Sequence, residues 1–190
     1  MMSNVFIHPT AIIDEGARIG EGTKIWHFCH LMPCTVGAGC ILGQNVYIDR
    51  NVTIGNGVKI QNNVSVYQGV EVEDDVFIGP SVVFTNVINP RSFMERKDEF
   101  RKTLIGRGAT LGANSTIICG VRVGAFALVG AGAVVTRDVP PFALVFGNPA
   151  EQRGWVSRAA YNLIFNDKGE ARCPVTGENY LLKGGEVIIS

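Results

Sequence analysis

A chain of 190 residues, 46% of them apolar, can bury a substantial core, and its length fits one domain or two, with one favoured. Lysine plus arginine equals aspartate plus glutamate at 17 each, which excludes an overall field drawing the chain to nucleic acid or to an anionic membrane. No apolar run approaches the ~18 residues of a membrane span, and the N-terminal MMSNVFIHPTAI lacks a basic-then-apolar leader, so a soluble, cytoplasmic protein is expected. The five cysteines contain no CxxC pair, which argues against a disulfide framework and against a cysteine-built zinc site.

The first elements repeat in sixes. From Ile7, apolar residues fall at 13, 19, 25 and 31; one residue is dropped, and the series resumes at Val36 and runs in sixes to Phe84. All of these anchors are Ile, Leu, Val or Phe, and four residues after each stands Ala, Ser, Thr, Cys, Val or Ile. A six-residue unit with one large and one small inward position suits neither a helix nor a plain strand; it describes a chain that turns a corner every hexad. Many residues directly after an anchor are glycine, among them Gly20, Gly37, Gly55, Gly112 and Gly130, as expected of corners that need a positive φ. Cys29 and Cys40 take small interior positions and are expected to be inert core thiols.

At Asn86 the beat stops. The segment 86–103, NVINPRSFMERKDEFRKT, is too charged for a face and is expected to be a loop ejected at a corner. Stacking at a spacing of eighteen places Arg50, Gln68 and Asn86 in one outward column, and the dropped residue aligns His27, Gln44 and Asn62 on the adjoining corner. An amide ladder is the structural alternative for these columns. A third run of anchors follows, from Ile105 to Val135. The expected division is therefore a β-helix over 1–140, with loop 86–103 ejected, and an extension over 141–190 that caps it. Within that extension the sequence suggests a short helix at about 151–163 and a hairpin in CPVTGENYLLKGGEVIIS.

The repeat resembles that of the hexapeptide acyltransferases. That resemblance implies an all-β fold, a left-handed parallel β-helix, and cyclic homotrimers with ligands between subunits. The strings IWHFCHLMP, LGQNVYI, KIQNNVSVYQGVEVEDDVFIGPSVVFTNVINPRS and DVPPFALVFGNPA, with the tail GWVSRAAYNLIF and CPVTGENYLL, narrow the likeness to nucleotide-sugar N-acetyltransferases acting on a 3-amino sugar. The implied reaction carries acetyl from acetyl-CoA to a UDP-linked 2-acetamido-3-amino-2,3-dideoxy-glucuronate, in O-antigen synthesis. A dTDP-linked 3-amino-3,6-dideoxyhexose is the alternative substrate. A γ-class carbonic anhydrase, which needs three convergent histidines on zinc, and a non-catalytic β-helix are the readings from other classes.

A sugar amine has a pKa near that of an α-amino group, about 7.7–8.0, so it needs aiming more than it needs a base. Asn86 is the candidate for that contact, with its amide carbonyl accepting an N–H; His27 or His30 is the alternative as general base. Arg91 can grip a diphosphate or a carboxylate at two points. His27, Gln44, Asn62 and Tyr67 are the remaining candidates for the substrate. By resemblance, acetyl-CoA lies along Gly112, Ala113, Gly130 and Ala131, with Arg137 or Arg153 near its phosphates. No metal and no nucleic acid are expected.

Overall fold

The computed structural model describes residues 4–190. The first three residues of the N-terminal segment, on which the leaderless expectation partly rests, lie outside the described residues. Nearly every hexad forms a two-residue strand whose second residue is the anchor, as in Lys24–Ile25, Ile41–Leu42 and Lys59–Ile60, and Val70–Val72 and Thr103–Ile105 are one residue longer and end on theirs. The anchor points inward and its neighbour outward, because successive side chains of a strand face opposite sides.

Within the repeat each strand pairs in parallel with the third strand along the chain, so the hexads sort into three sheets that form the faces of a prism. The first face begins at Phe6–Ile7, the second at Ile12–Ile13 and the third at Arg18–Ile19. Ala143–Phe146 adds a further parallel rung to the first face beyond the last hexad. The dropped residue is visible in the register: Phe6 lies beside Lys24, eighteen on, whereas Lys24 lies beside Ile41 and His30 beside Tyr47, seventeen on. Ile25, Leu42, Ile60, Ile78, Leu111 and Val129 are all 0% exposed, so one continuous column of anchors forms the core.

Cys29 and Cys40 lie in that core, with their thiols donating to the carbonyl oxygens of Gly43 (3.0 Å) and Gly55 (3.1 Å). Burial raises both thiol pKa values above the ordinary range, and pushes the Cys34 thiol up to about 11, so these sulfurs pack rather than react.

The glycines after the anchors have a different task from the expected one. None of Gly20, Gly37, Gly55, Gly112 and Gly130 has a positive φ. A Cβ on Gly20 would lie 2.4 Å from the backbone nitrogen of Ala38, and one on Gly112 2.5 Å from that of Ala131. They are glycine because the next coil passes directly over them. The positive φ falls two residues later, at Gly22, Gly39, Asn45, Asn51, Gly57, Asn63 and Asn114, where the chain turns the corner.

The tail also departs from expectation. In place of a helix, Glu151–Trp155 is a strand running antiparallel to Ala143–Phe146. The hairpin is present: Asn179–Lys183 and Glu186–Ile189 pair across Gly184 and Gly185, both at positive φ, and Glu170–Arg172 completes a three-stranded sheet. Alternating burial explains the strand. Alanine, valine and tyrosine at 171, 187 and 180 face a second small core with Phe142 and Leu163, while their neighbours face out.

Candidate active site at two corners of the prism

The second face is bounded by two corners, and the sequence-derived candidates divide between them. At the corner after this face, the pairs Tyr47 with Ser65 and Ser65 with Val83 bring Arg50, Gln68 and Asn86 to equivalent heights on successive rungs. The loop leaves there. The Arg101 N–H donates to the Asn86 carbonyl oxygen at 3.1 Å and closes the neck, and the chain rejoins the third face with Thr103 beside Val70. Among the described residues, the side-chain amide of Asn86 has no hydrogen-bond partner. The amide ladder exists elsewhere, where Asn45 Nδ2 donates to Asn63 Oδ1 at 3.2 Å. Asn86 is therefore a half-buried amide at the mouth of the loop, free to meet a ligand.

Tyr67 lies on the same corner, its ring 6.1 Å from that of Tyr47, which meets His30 edge-on at 5.6 Å. The Tyr47 hydroxyl donates to the Met32 sulfur at 3.0 Å, and desolvation followed by the charge of Asp49 raises its pKa, which keeps the phenol neutral. His30 pairs with Asp14 at 3.3 Å. Arg91 is exposed within the loop, where one guanidinium N–H bonds the Pro90 carbonyl oxygen at 3.1 Å. Phe93 on the same loop is 81% exposed.

The corner before the second face carries the other group. His27 stacks on His8 at 3.6 Å and lines an open recess of about 300 Å³ with Trp26, Gln44, Gln61 and Asn62. Asn62 Oδ1 accepts the Gln44 backbone N–H at 2.9 Å, so part of this column is structural. Higher on the same corner stand Gly112 with Ala113 and Gly130 with Ala131. Equivalent backbone N–H groups at Ala38, Asn56, Arg107 and Cys119 are capped by side chains of Asn56, Asp74, Glu73 and Thr85. Among the described residues, the N–H groups of Ala113 and Ala131 have no partner, as is also the case at His27, Asn62 and Ala125. A row of bare donors beside glycines that leave the surface open can hold an extended, amide-bearing ligand.

Arg137 lies apart from that row, on the corner of the loop, and Arg153 pairs with Glu151 at 2.9 Å and lies 5.9 Å from the Phe146 ring centroid. One chain thus brings His27, Gln44 and Asn62 into line with the glycine row, and sets Asn86, Tyr67 and Arg91 on the opposite edge of the second face. The three histidines do not converge: His8 and His27 stack, and His30 turns to Asp14. Among the described residues, no three His, Cys, Asp or Glu side chains form a group that could hold a metal ion.

Sequence reasoning missed Phe28. It has φ 57 and is 58% exposed, at a corner position that elsewhere holds mostly Gly, Asn, Asp or Ser. That mismatch was the available signal.

Three parallel faces, two-residue strands and glycines under each passing coil define the class. Residues 16–50, 51–86 and 102–137 match the family of bacterial transferases with hexapeptide repeats, and the chain belongs to that family. The winding is accordingly the left-handed β-helix. Among individual relatives, the chain is 42% identical to the dTDP-3-amino-3,6-dideoxy-α-D-galactopyranose 3-N-acetyltransferase of Aneurinibacillus thermoaerophilus, over 96% of this chain and 93% of that one. A variant of GDP-perosamine N-acetyltransferase from Caulobacter crescentus, solved with CoA and GDP-perosamine, superposes with a TM-score of 0.55 at 26% identity. That match covers 79% of this chain but only 56% of the solved one. A hexapeptide-repeat acetyltransferase from Vibrio cholerae superposes with a TM-score of 0.53 at 26% identity, covering 73% of each chain.

Proposed function

We propose that the chain transfers the acetyl group of acetyl-CoA to the 3-amine of a dTDP-linked 3-amino-3,6-dideoxyhexose. The observation that carries this is the 42% identity, along 93% of its length, to an enzyme named for that reaction. It supports the dTDP-linked alternative over the UDP-linked glucuronate. The Caulobacter complex, which holds CoA with a different nucleotide-linked amino sugar, supports the broader class of nucleotide-sugar N-acetyltransferase.

The neutral amine attacks the thioester carbonyl; a C–N bond forms, the C–S bond breaks, and the amine proton leaves as the CoA thiolate departs. The amide of Asn86 accepts an amine N–H and aims the lone pair, which is a positioning task that requires no change of charge. Bare N–H groups at Ala113 and Ala131 hold the acyl carrier along its corner and face the developing oxyanion. Asn86 and these donors lie on opposite edges of one face, so the reading includes a homotrimer in which each site draws on two copies. The exposed Phe93 is consistent with such burial. A cytoplasmic enzyme serving surface-polysaccharide synthesis, such as that of O-antigen, belongs to the same proposal.

The test is a panel of dTDP- and UDP-linked 3-amino sugars with acetyl-CoA, assayed by thiol release and product mass. Acetylation of the dTDP-deoxyhexose is expected. Turnover of the UDP-uronate alone would overturn the substrate and keep the class, and no turnover with any amino sugar would overturn the class.

A further inference from the structure

The recess at the His27 corner has a character that the acetyl-transfer chemistry does not require. Its side chains Trp26, His27, Gln44, Gln61 and Asn62 include no carboxylate, lysine or arginine. Trp26 and His27 lie nearly parallel, at an interplanar angle of 8°, and Trp26 is 39% exposed. Among the described residues, the side-chain amides of Gln44 and Gln61 and the Asn62 Nδ2 have no partner. Aromatic faces beside unpaired amides are suited to a flat heterocycle with donors and acceptors on its edge, and unsuited to phosphates.

Phe28 adds a second observation. A bulky side chain in the left-handed region is strained. Phe126 and Phe142, the other phenylalanines with positive φ, stack on each other at 5.4 Å in the small core of the tail. Phe28 has no such cover: its ring is 58% exposed, 6.1 Å from that of His27. The Phe28 N–H donates to Thr10 Oγ1 at 3.0 Å, which steadies the backbone but leaves the ring uncovered, whereas a planar ligand beside His27 would cover it.

Height on the prism says which ligand. Residues 26, 44 and 62 lie on the second to fourth rungs of this corner, Asn86 follows the second-face strand of the fifth, and Gly112 and Gly130 stand on the sixth and seventh. The recess and the bare N–H row thus lie on opposite sides of the Asn86 level. Its middle is about two rungs below, roughly 10 Å at the spacing of sheet strands, on the scale of a diphosphate and a ribose. Cations Arg50 and Arg91 stand across the second face on the Asn86 corner, exposed, where a diphosphate would pass between copies.

We propose that this recess, walled by Trp26 and His27 and flanked by the strained Phe28, binds the pyrimidine base of the nucleotide-linked sugar, with the Gln44, Gln61 and Asn62 amides reading its imide edge. The assignment rests on the nucleotide-sugar reading above and names the part of the substrate that this corner takes.

The test titrates the full-length protein separately with dTDP, UDP, GDP and CoA. Wild type is expected to bind the pyrimidine diphosphates in preference to GDP. Trp26→Ala should weaken dTDP binding about tenfold, as loss of one base-stacking ring does, and leave CoA affinity within about twofold. Phe28→Gly should raise the melting temperature and yet weaken dTDP, an opposition that a structural role would not produce. Unchanged dTDP affinity in both variants, a loss that falls on CoA instead, or preference for GDP would overturn the subsite. These binding results stand apart from the turnover panel: dTDP binding lost in the variants, with no sugar acetylated by wild type, would keep the recess and remove the activity.

Discussion

The inside of this prism and its corners are built from the same hexads by opposite rules. Inside, each rung repeats the last, with Ile25, Leu42, Ile60 and Ile78 stacked at 0% exposure, because a close-packed column tolerates little variation. At the corners whole runs of rungs differ: Trp26 is followed by Gly43 and Gln61, and Met32 by Asp49 and Tyr67. Corners face water or a neighbour, so packing does not dictate their side chains and ligand chemistry can. Substitutions inside should therefore remove the fold, and substitutions at the corners should remove turnover while the fold stands.

The largest effect is expected from Val129→Asp, which places an unpaired carboxylate at 0% exposure between coils and costs several kcal/mol, roughly the stability of a small domain. Thermal unfolding should show no cooperative transition, and wild-type melting would mean that the hexad register is misassigned.

A sharper test compares two glycines of one corner. Gly112→Ala drives a Cβ to 2.5 Å from the Ala131 backbone nitrogen, and such overpacking should cost about 1–3 kcal/mol in denaturant unfolding. Gly132→Asn enters open space at φ +69, a conformation that asparagine accepts, and should change stability by less than about 0.5 kcal/mol. Equal costs would refute the distinction between close approach and backbone turn.

Asn86→Ala should lower kcat at least tenfold, about 1.4 kcal/mol of transition-state stabilisation, with the melting temperature unchanged. A fully active variant would end the positional mechanism. Inside, Ser115 is 0% exposed and its hydroxyl has no partner, where other rungs hold Ala109, Ala127 and Ala133. Ser115→Ala should raise stability by about 1 kcal/mol, read from the denaturant midpoint, without altering activity.

The smallest effect is expected from His27→Ala combined with His30→Ala, measured as kcat at saturating sugar. Without a protein base, kcat should stay within about threefold, and kcat/KM should rise with pH through about 7.7–8.0, as the amine loses its proton. A dead double variant that binds both substrates would move the proton transfer to an imidazole.

The prism was legible residue by residue because each of its hexads solves the same local problem. The period of six, the anchors, the dropped residue and the ejected loop are all present in the register and sheet order observed. The tail was only half legible. The Gly184–Gly185 hairpin carries its own turn chemistry, but the pattern at 151–155 was compatible with a helix until Ala143–Phe146 offered it a strand to pair with.

Individual corners depended most on what surrounds them. The sequence by itself determined that glycine follows so many anchors, because no other residue suits a chain crossed by its own next coil. Only the tertiary structure decided that close approach, and not a positive φ, is the reason, since the crossing atom comes from a residue about eighteen positions away. In the same way, the sequence placed Asn86 where the beat stops, and the fold left its amide unpaired while tying its carbonyl oxygen to Arg101. Hydrogen-bond partners that far along the chain depend on how the coils stack, and no local pattern encodes them.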